Sequence, residues 1–275
     1  MKTYLKTKDF AYSGEEFQLL VDPKLEMLVT YPKPKDSGKY YDSASYISHT
    51  DANASFVEKL YQQVKKYNLR WKVRQVKKYA AKGKSLLDVG AGTGDFLRSA
   101  VAHGWNTNGV EPNLNARKGA ERKGVELQES MAMLNGKKFD AVTLWHVLEH
   151  MPDLESSFKE LSGLLEEGGT LFIAVPNYKS FDAQHYGKYW AAFDVPRHLW
   201  HFSRSSMQGL CQTNNLKVLK IKPMIFDAFY ISLLSEKYKH GKSGFLKAFA
   251  IGLRSNLSAW RTKEYSSLVY VIKRA

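Results

Sequence analysis

Leu86-Leu87-Asp88-Val89-Gly90-Ala91-Gly92-Thr93-Gly94-Asp95-Phe96-Leu97 is the stretch whose reading decides the fold. Leu86, Leu87 and Val89 form a short apolar run that predicts a buried strand, and the periodic apolar segment from Phe96 to Val101 predicts a helix. Three glycines alternate with small residues between the two. Glycine here lets the backbone turn tightly and lets a ligand lie against the main chain beside the helix N-terminus. Such turns also arise for packing alone, so the surroundings decide.

Two details narrow the ligand. Asp88 stands two residues before the first glycine, where a phosphate would meet a carboxylate. Position 95, which a dinucleotide fingerprint fills with a third glycine, is Asp95. An acidic loop favours a cationic or zwitterionic ligand, and S-adenosylmethionine, with its sulfonium and α-ammonium groups, has that character. Downstream, Trp105-Asn106-Thr107-Asn108-Gly109-Val110-Glu111-Pro112 predicts a second strand ending in an acid, 23 residues after Asp88. A carboxylate there is placed to accept hydrogen bonds from ribose hydroxyls. Lys138 to His150, containing Phe139-Asp140-Ala141-Val142 and Val147-Leu148-Glu149-His150, predicts a further strand running into a short helix.

With these segments and Gly168-Gly169-Thr170-Leu171-Phe172-Ile173-Ala174-Val175-Pro176-Asn177, the chain resembles the class I S-adenosylmethionine-dependent methyltransferases over roughly residues 84–222. It is most similar to the branch whose fourth strand ends in V-L-E-H, which includes methyltransferases of small molecules and quinone precursors. The resemblance implies an α/β, Rossmann-like doubly wound sheet of seven strands, mostly parallel with an antiparallel last strand. It also implies a site. Asp88 and the backbone of Gly90, Ala91, Gly92, Thr93 and Gly94 would hold the methionine part of the cofactor. Glu111 would take the ribose, Pro112 with Asn113 would flank the adenine, and Ser130 and Met131 would touch it. Trp145 and His146 would lie beside the sulfonium, and Tyr40, Tyr46 and His49 would close the pocket.

Methyl transfer from a sulfonium needs binding, alignment and exclusion of water more than covalent help. A general base matters only if the acceptor must lose a proton. His146 is the candidate for that role, since an imidazole accepts protons near neutral pH. His150 is expected to cap its helix, and Glu149 to hold a backbone amide. Asp194-Val195-Pro196-Arg197-His198 resembles a D-x-P-R-H segment of relatives. There Arg197 would bind an acceptor carboxylate or phosphate through its planar fork, and His198 would act as a base or positioning donor. His201 is expected to be structural.

At 275 residues the chain can bury one large core, or one core with a small appendage. Hydrophobic content of 44% and aromatic content of 13% are globular values and exclude a disordered chain. The single cysteine, Cys211, excludes a disulfide framework and an all-cysteine metal site, and fits a reducing cytoplasm. Met1 to Lys6 lacks an apolar signal region, and no stretch approaches about 18 uninterrupted apolar residues, so a soluble, cytoplasmic protein is expected. The net charge of +14 raises nucleic acid or an anionic surface as a partner. The basic residues are spread out, however, and the expectation is a solvated basic surface.

In chain order, residues 1–55 form an amino-terminal cap, with short strands expected around Glu16 to Val21 and Glu26 to Thr30. Some relatives carry a cysteine zinc module here; this region has no cysteine, so the cap is expected to be metal-free, and no metal is expected in the site. Residues 56–275 form the methyltransferase domain, with one or two amphipathic helices from Ala54 to about Ala81. Core strands are expected near 84–89, 106–111, 125–128, 139–144 and 169–175, and helices near 95–103, 113–122 and 154–166. Insertions cover 177–200, a lid or binding wall, and 226–261. In the second, apolar residues among lysines suggest a membrane-surface helix, but packing over the site or a partner subunit is the favoured expectation. Ser203 should cap a helix through about Asn214; Leu216 to Ile221 and Ser266 to Lys273 are the last strands.

The leading functional expectation is S-adenosylmethionine-dependent methyl transfer to a small or carrier-bound metabolite, at oxygen, by in-line displacement. An RNA methyltransferase is the alternative the charge suggests, although Val175-Pro176-Asn177-Tyr178 departs from the N/D-P-P-Y/F signature of nucleic-acid amino methylation. A non-catalytic binding module on a retained fold is the third reading. No residue pattern sets the oligomeric state.

Overall fold

The structure, a computed structural model, describes residues 1–34, 38–40, 56–80, 83–242 and 244–275, with residues 56–61 described by their backbone alone. In chain order the elements are β1 (Lys2–Lys8), β2 (Glu16–Val21), β3 (Leu28–Tyr31), α1 (Phe56–Tyr79), β4 (Ser85–Val89), α2 (Asp95–Val101), β5 (Asn106–Val110), α3 (Leu114–Glu121) and β6 (Phe139–Trp145). Then come α4 (Leu154–Gly163), β7 (Leu165–Pro176), α5 (Phe181–Tyr186), β8 (Trp200–His201), α6 (Arg204–Thr213), β9 (Leu216–Pro223), α7 (Asp227–His240), α8 (Phe245–Thr262) and β10 (Ser267–Arg274).

The central sheet runs β5-β4-β6-β7-β10-β9. The first four strands are parallel, and β10 lies antiparallel between β7 and β9. Side-chain alternation places its two cores. Leu86, Ala141, Phe172 and Val271 face α1 and α2, packing with Val76, Phe96 and Leu97. Leu87, Val142, Ile173 and Tyr270 face α4 and α6, packing with Phe158, Leu161, Met207 and Leu210. Each such fully buried side chain contributes roughly 1.5–3 kcal/mol, so the sheet edge that carries the site rests on a rigid base.

Among the described residues, six of the expected seven core strands form. The segment near 125–128 is reduced to one parallel bridge between Val110 and Gln128, held by the Glu111 amide on the Gln128 carbonyl and the Gln128 amide on the Gly109 carbonyl, 2.9 Å each. Only Val125 and Leu127 turn inward, against the core, and two apolar contacts do not order a longer edge strand. β7 also starts earlier than expected, at Leu165. Gly168, at φ 73°, accompanies a register shift opposite Phe139 and Ala141. The Ser203 cap is present: its hydroxyl accepts from the Ser206 amide while the Ser206 hydroxyl accepts from the Ser203 amide.

β1, β2 and β3 form a second, antiparallel sheet that β8 completes. Phe17, Leu19 and Leu28 share a core with Tyr178, Tyr186, Trp190 and Phe193. The segment 177–200 is therefore a buried wall between the two sheets. Asp182 anchors it. The Trp190 indole donates to Asp182 Oδ2 at 2.8 Å, Ser266 donates to the same oxygen at 2.6 Å, and Ser255 donates to Oδ1 at 2.6 Å.

α7 and α8 form a hairpin. Ala248, Gly252, Ser255 and Ala259 make the buried row of α8, and a Cβ at Gly252 would meet the Phe229 Cα at 3.0 Å. Small side chains let the helices approach closely. Residues of α7 line a cavity that opens from His146, whereas the large apolar residues of α8 stay exposed. Among the described residues, no helix is long and apolar enough to cross a membrane.

Replacing Asp182 with alanine orphans three buried donors at once. Asp182→Ala should lower unfolding free energy by roughly 2–4 kcal/mol, read from the urea midpoint at unchanged m-value; an unchanged midpoint would show that the carboxylate is not an anchor.

Candidate active site

The carboxyl edge of the sheet gathers the sequence candidates from three strands. β4 runs into the glycine turn, where Gly90, Gly92 and Gly94 have φ of 70°, 54° and 74°. At Gly90 a Cβ would press on Val147 Cγ2 at 2.4 Å, whereas at Gly92 it would meet nothing within 4 Å. The turn is thus clamped on one side and borders open space on the other. The Gly90 and Ala91 amides donate to the Val110 carbonyl at 2.8 and 3.0 Å. Glu111, at the end of β5, accepts from the Gly92 amide on Oε2 and from the Asn113 amide on Oε1, 2.9 Å each.

Asp88 is buried beneath the turn and accepts from the Thr143 hydroxyl at 2.6 Å. Burial pushes its carboxyl up to about 7, against the hydrogen bond from Thr143 and the charge of Lys72. Lys72 reaches over from α1, its ammonium 4.5 Å from the centre of the Trp145 ring. Burial draws its pKa down while the charges of Asp88 and Asp227 oppose that. Trp145 packs edge-on against Phe96 at 5.3 Å, and its indole nitrogen is buried with no hydrogen-bond partner among the described residues. Pro112 and Ser130 are exposed and Met131 is half-buried; Met131 touches the large core.

His146 follows Trp145 in the left-handed region, at φ 60°, a conformation that costs energy and turns the ring into the site. Its Nδ1 lies 3.3 Å from Glu149 Oε1 and its Nε2 lies 3.1 Å from Asp227 Oδ2. Burial works against a charged ring, but the hydrogen bonds and charges of Asp227 and Glu149 outweigh it and push the pKa up to about 9. In place of the expected imidazole base, the ring is an imidazolium at neutral pH that faces a carboxylate at each nitrogen.

His146 opens into a cavity of about 770 Å³ that is also lined by Phe10, Lys72, Met224, Tyr230, Leu234 and Tyr238. Arg197 and His198 line its far wall. The Arg197 fork, expected to take an acceptor anion, is spent on Asp194: Nε donates to Oδ2 at 2.9 Å and Nη2 to Oδ1, while Nη1 donates to the Tyr40 carbonyl at 3.2 Å. Burial opposes its charge, and Asp194 restores it and raises the pKa. His198 Nδ1 lies 2.8 Å from the Ala192 carbonyl. His150 Nδ1 lies 3.0 Å from the Arg197 carbonyl, so it ties the wall to the V-L-E-H turn; burial and the His198 charge hold its pKa down to about 4. Donor atoms of Glu149, His150 and His198 lie within 4.8 Å of one another, a spacing that would admit a cation. Glu149 Oε2 has no hydrogen-bond partner among the described residues, and burial raises the Glu149 pKa less than His146 and its neighbours lower it. His201 meets Thr30 at 2.9 Å inside the second sheet.

Tyr40 is not brought to the glycine turn. Its hydroxyl donates to Glu15 Oε2 at 2.5 Å and its ring packs with Phe17 and Leu19. Tyr46 and His49 lie outside the described residues.

A family model described as a methyltransferase domain matches residues 58–221, more than half of the chain. The chain belongs to this methyltransferase family. A ubiquinone biosynthesis O-methyltransferase of Aeromonas salmonicida is 29% identical over 174 residues, covering 58% of this methyltransferase and 72% of the relative. Magnesium protoporphyrin IX methyltransferase from Synechocystis PCC 6803, solved with bound SAH, superposes with a TM-score of 0.56 at 15% identity, over 86% of this chain and 97% of that one. A SAM-dependent methyltransferase from Thermotoga maritima gives 0.52 at 20% identity, over 80% and 97%. The two structures share the fold of this chain, and the methyltransferase family match over more than half of the chain makes S-adenosylmethionine its cofactor.

Two site residues of the methyltransferase escaped sequence reasoning. Lys72 had a signal: it stands three residues after Leu69 and four before Val76, on the apolar stripe of α1. Asp227 had none, since an acid in the first turn of a helix reads as a dipole partner.

The His146 clamp has a pH signature. A ring raised above its ordinary 6.5 contributes stability that is complete below about pH 6.5 and lost as pH rises through about 9. NMR titration of the His146 ring should find a midpoint near 9 in the wild type and one lower by about a unit or more in Asp227→Asn. A wild-type midpoint near 6.5 would mean that the clamp carries no charge.

Proposed function

We propose that this methyltransferase moves a methyl group in line from S-adenosylmethionine to an oxygen of a small or carrier-bound metabolite. The observation that carries the reading is the cavity of about 770 Å³ that opens from His146, just past the carboxyl end of β6, the strand paired with the β4 strand that runs into the glycine turn. The name of the Aeromonas relative, an O-methyltransferase, supports oxygen as the acceptor atom.

The residues present fit the cofactor. Gly92 borders open space, the buried Trp145 indole nitrogen awaits a partner, and the site's acids suit a cationic ligand. Asp88 and Gly90 to Gly94 would hold the methionine part. Glu111 would exchange its backbone amides for ribose hydroxyls, and Pro112, Ser130 and Met131 would border the adenine. Tyr46 and His49 remain candidates for closing the site. When bound, the cofactor supplies an electrophilic methyl group.

The chain's own residues would orient the acceptor and manage its proton. Phe10, Met224, Tyr230 and Leu234 offer apolar and aromatic contact, and the His146 imidazolium attracts an oxyanion. Glu149 fixes the ring through Nδ1, and Asp227, which lines the cavity beside Nε2, is the carboxylate placed to take the hydroxyl proton. His198 positions the far wall through Ala192, and Arg197 does so through Asp194. Burial pushes the Cys211 thiol up to about 12, which suits an inert thiol in a reducing cytoplasm.

Calorimetric titration of S-adenosylmethionine should give micromolar-range binding that Asp88→Ala abolishes. Glu111→Ala should weaken it roughly 30- to 100-fold, the worth of about 2–3 kcal/mol for two hydrogen bonds to a charged acceptor. With a labelled methyl donor, hydroxylated aromatic metabolites should accept label, and Asp227→Asn should lower kcat more than KM. Label passing to RNA alone, or no cofactor binding by the wild type, would overturn the reading.

A further inference from the structure

The large apolar side chains of α8 have a definite arrangement. Phe245, Leu246, Phe249, Leu253, Leu257 and Trp260 are between 44% and 84% exposed. At about 100° per residue they fall in one arc of roughly 120°, away from the small-residue row that packs on α7. Exposed apolar surface of this size on one helix marks an interaction site.

The charges beside it indicate what covers the stripe. Lys247, Arg254 and Arg261 recur every seven residues and form a row along one border of the stripe. All three are exposed, although Lys247 lies 3.4 Å from Glu236 and Arg254 stands over the Phe181 ring. The 27 residues from Lys237 to Lys263 hold seven Lys or Arg and no Asp or Glu. A second copy docking by the same face would bring these rows together with no acid on α8 to meet them. An anionic bilayer meets both features: acyl chains take the stripe and phosphates take the row.

We propose that α8 is a membrane-surface helix that seats this protein on anionic lipid. Its indole at Trp260 suits the headgroup boundary, where an aromatic ring is half in water. The small-residue face of α8, centred roughly 110° around the helix from the stripe, rests on α7, where Phe249 also stacks on Phe229, and Tyr230, Leu234 and Tyr238 of α7 line the cavity that opens from His146. Adsorption therefore sets the cavity one helix away from the lipid. Delivery of an apolar acceptor from the bilayer rests on the acceptor reading above; adsorption itself does not.

The test is sedimentation of the full chain with vesicles, phosphatidylcholine alone or mixed with about one third phosphatidylglycerol. The wild type should co-sediment with the mixed vesicles and far less with the neutral ones. The triple variant Leu246→Ser, Leu253→Ser, Leu257→Ser, which spares Phe249 and its stack on Phe229, should lose at least about tenfold in partitioning, with its melting temperature and S-adenosylmethionine titration unchanged. A wild type that stays in the supernatant, or a variant that binds equally, overturns the proposal. So does light scattering that finds the wild type at twice the chain mass without lipid and the variant at the chain mass, since the stripe is then a self-association face.

Discussion

The carboxylate of Asp182 is the point on which the site's walls converge. Buried and fully engaged, it receives the Trp190 indole, Ser255 of α8 and Ser266 at the start of β10. A buried charge is tolerated only when hydrogen bonds replace its lost water. Here the replacements come from three separate parts of the chain. The wall at 177–200, the helical hairpin and the antiparallel strand are thus positioned by one group. The cavity lies among these elements, and its dimensions follow from that meeting.

The charges of the site answer one another in the same way. Asp88 and Asp227 act on Lys72 from the sheet and from α7, and Asp227 and Glu149 hold His146 from either side. Burial prevails at Asp88 and Lys72, while at His146 and Glu149 the neighbouring charges and hydrogen bonds prevail over it. An arrangement with alternating signs resists solvent loss and presents both an acid and a cation to whatever enters. Arg197 and Asp194 repeat the pattern on the far wall, where the pairing is closed and holds shape.

The sheet and its carboxyl edge were legible in the sequence because their signals are local. A glycine turn needs glycine within a few residues of the strand it ends, and an acid at a strand end is visible in the run itself. Asp88, Glu111 and Trp145 could therefore be placed without coordinates. The edge strand near 125–128 was overstated, since two inward apolar residues satisfy a pattern without the partner that would order a strand. The partners of Arg197 and His146 were not legible. Asp194 is near Arg197 in sequence, but Asp227 stands 81 residues from His146, and no periodicity links them. The apolar residues of α8 are visible in the sequence but read there as an inward-packing face, because the row that does pack is made of residues too small to register as a core.

The pairing of β3 with β8 joins residue 28 to residue 201 and residue 29 to residue 200, and this has a consequence for how the chain is made. The hairpin of β1 and β2 and the strand after it leave the ribosome early, with one edge open. At roughly 5–20 residues per second, about ten to thirty seconds pass before Trp200 and His201 emerge to cover it. Thr30 waits as well, for the carbonyls of His198 and Leu199. The β1–β3 sheet is therefore made long before the strand that completes it, and its open edge is where a nascent chain of this protein is exposed to capture by another.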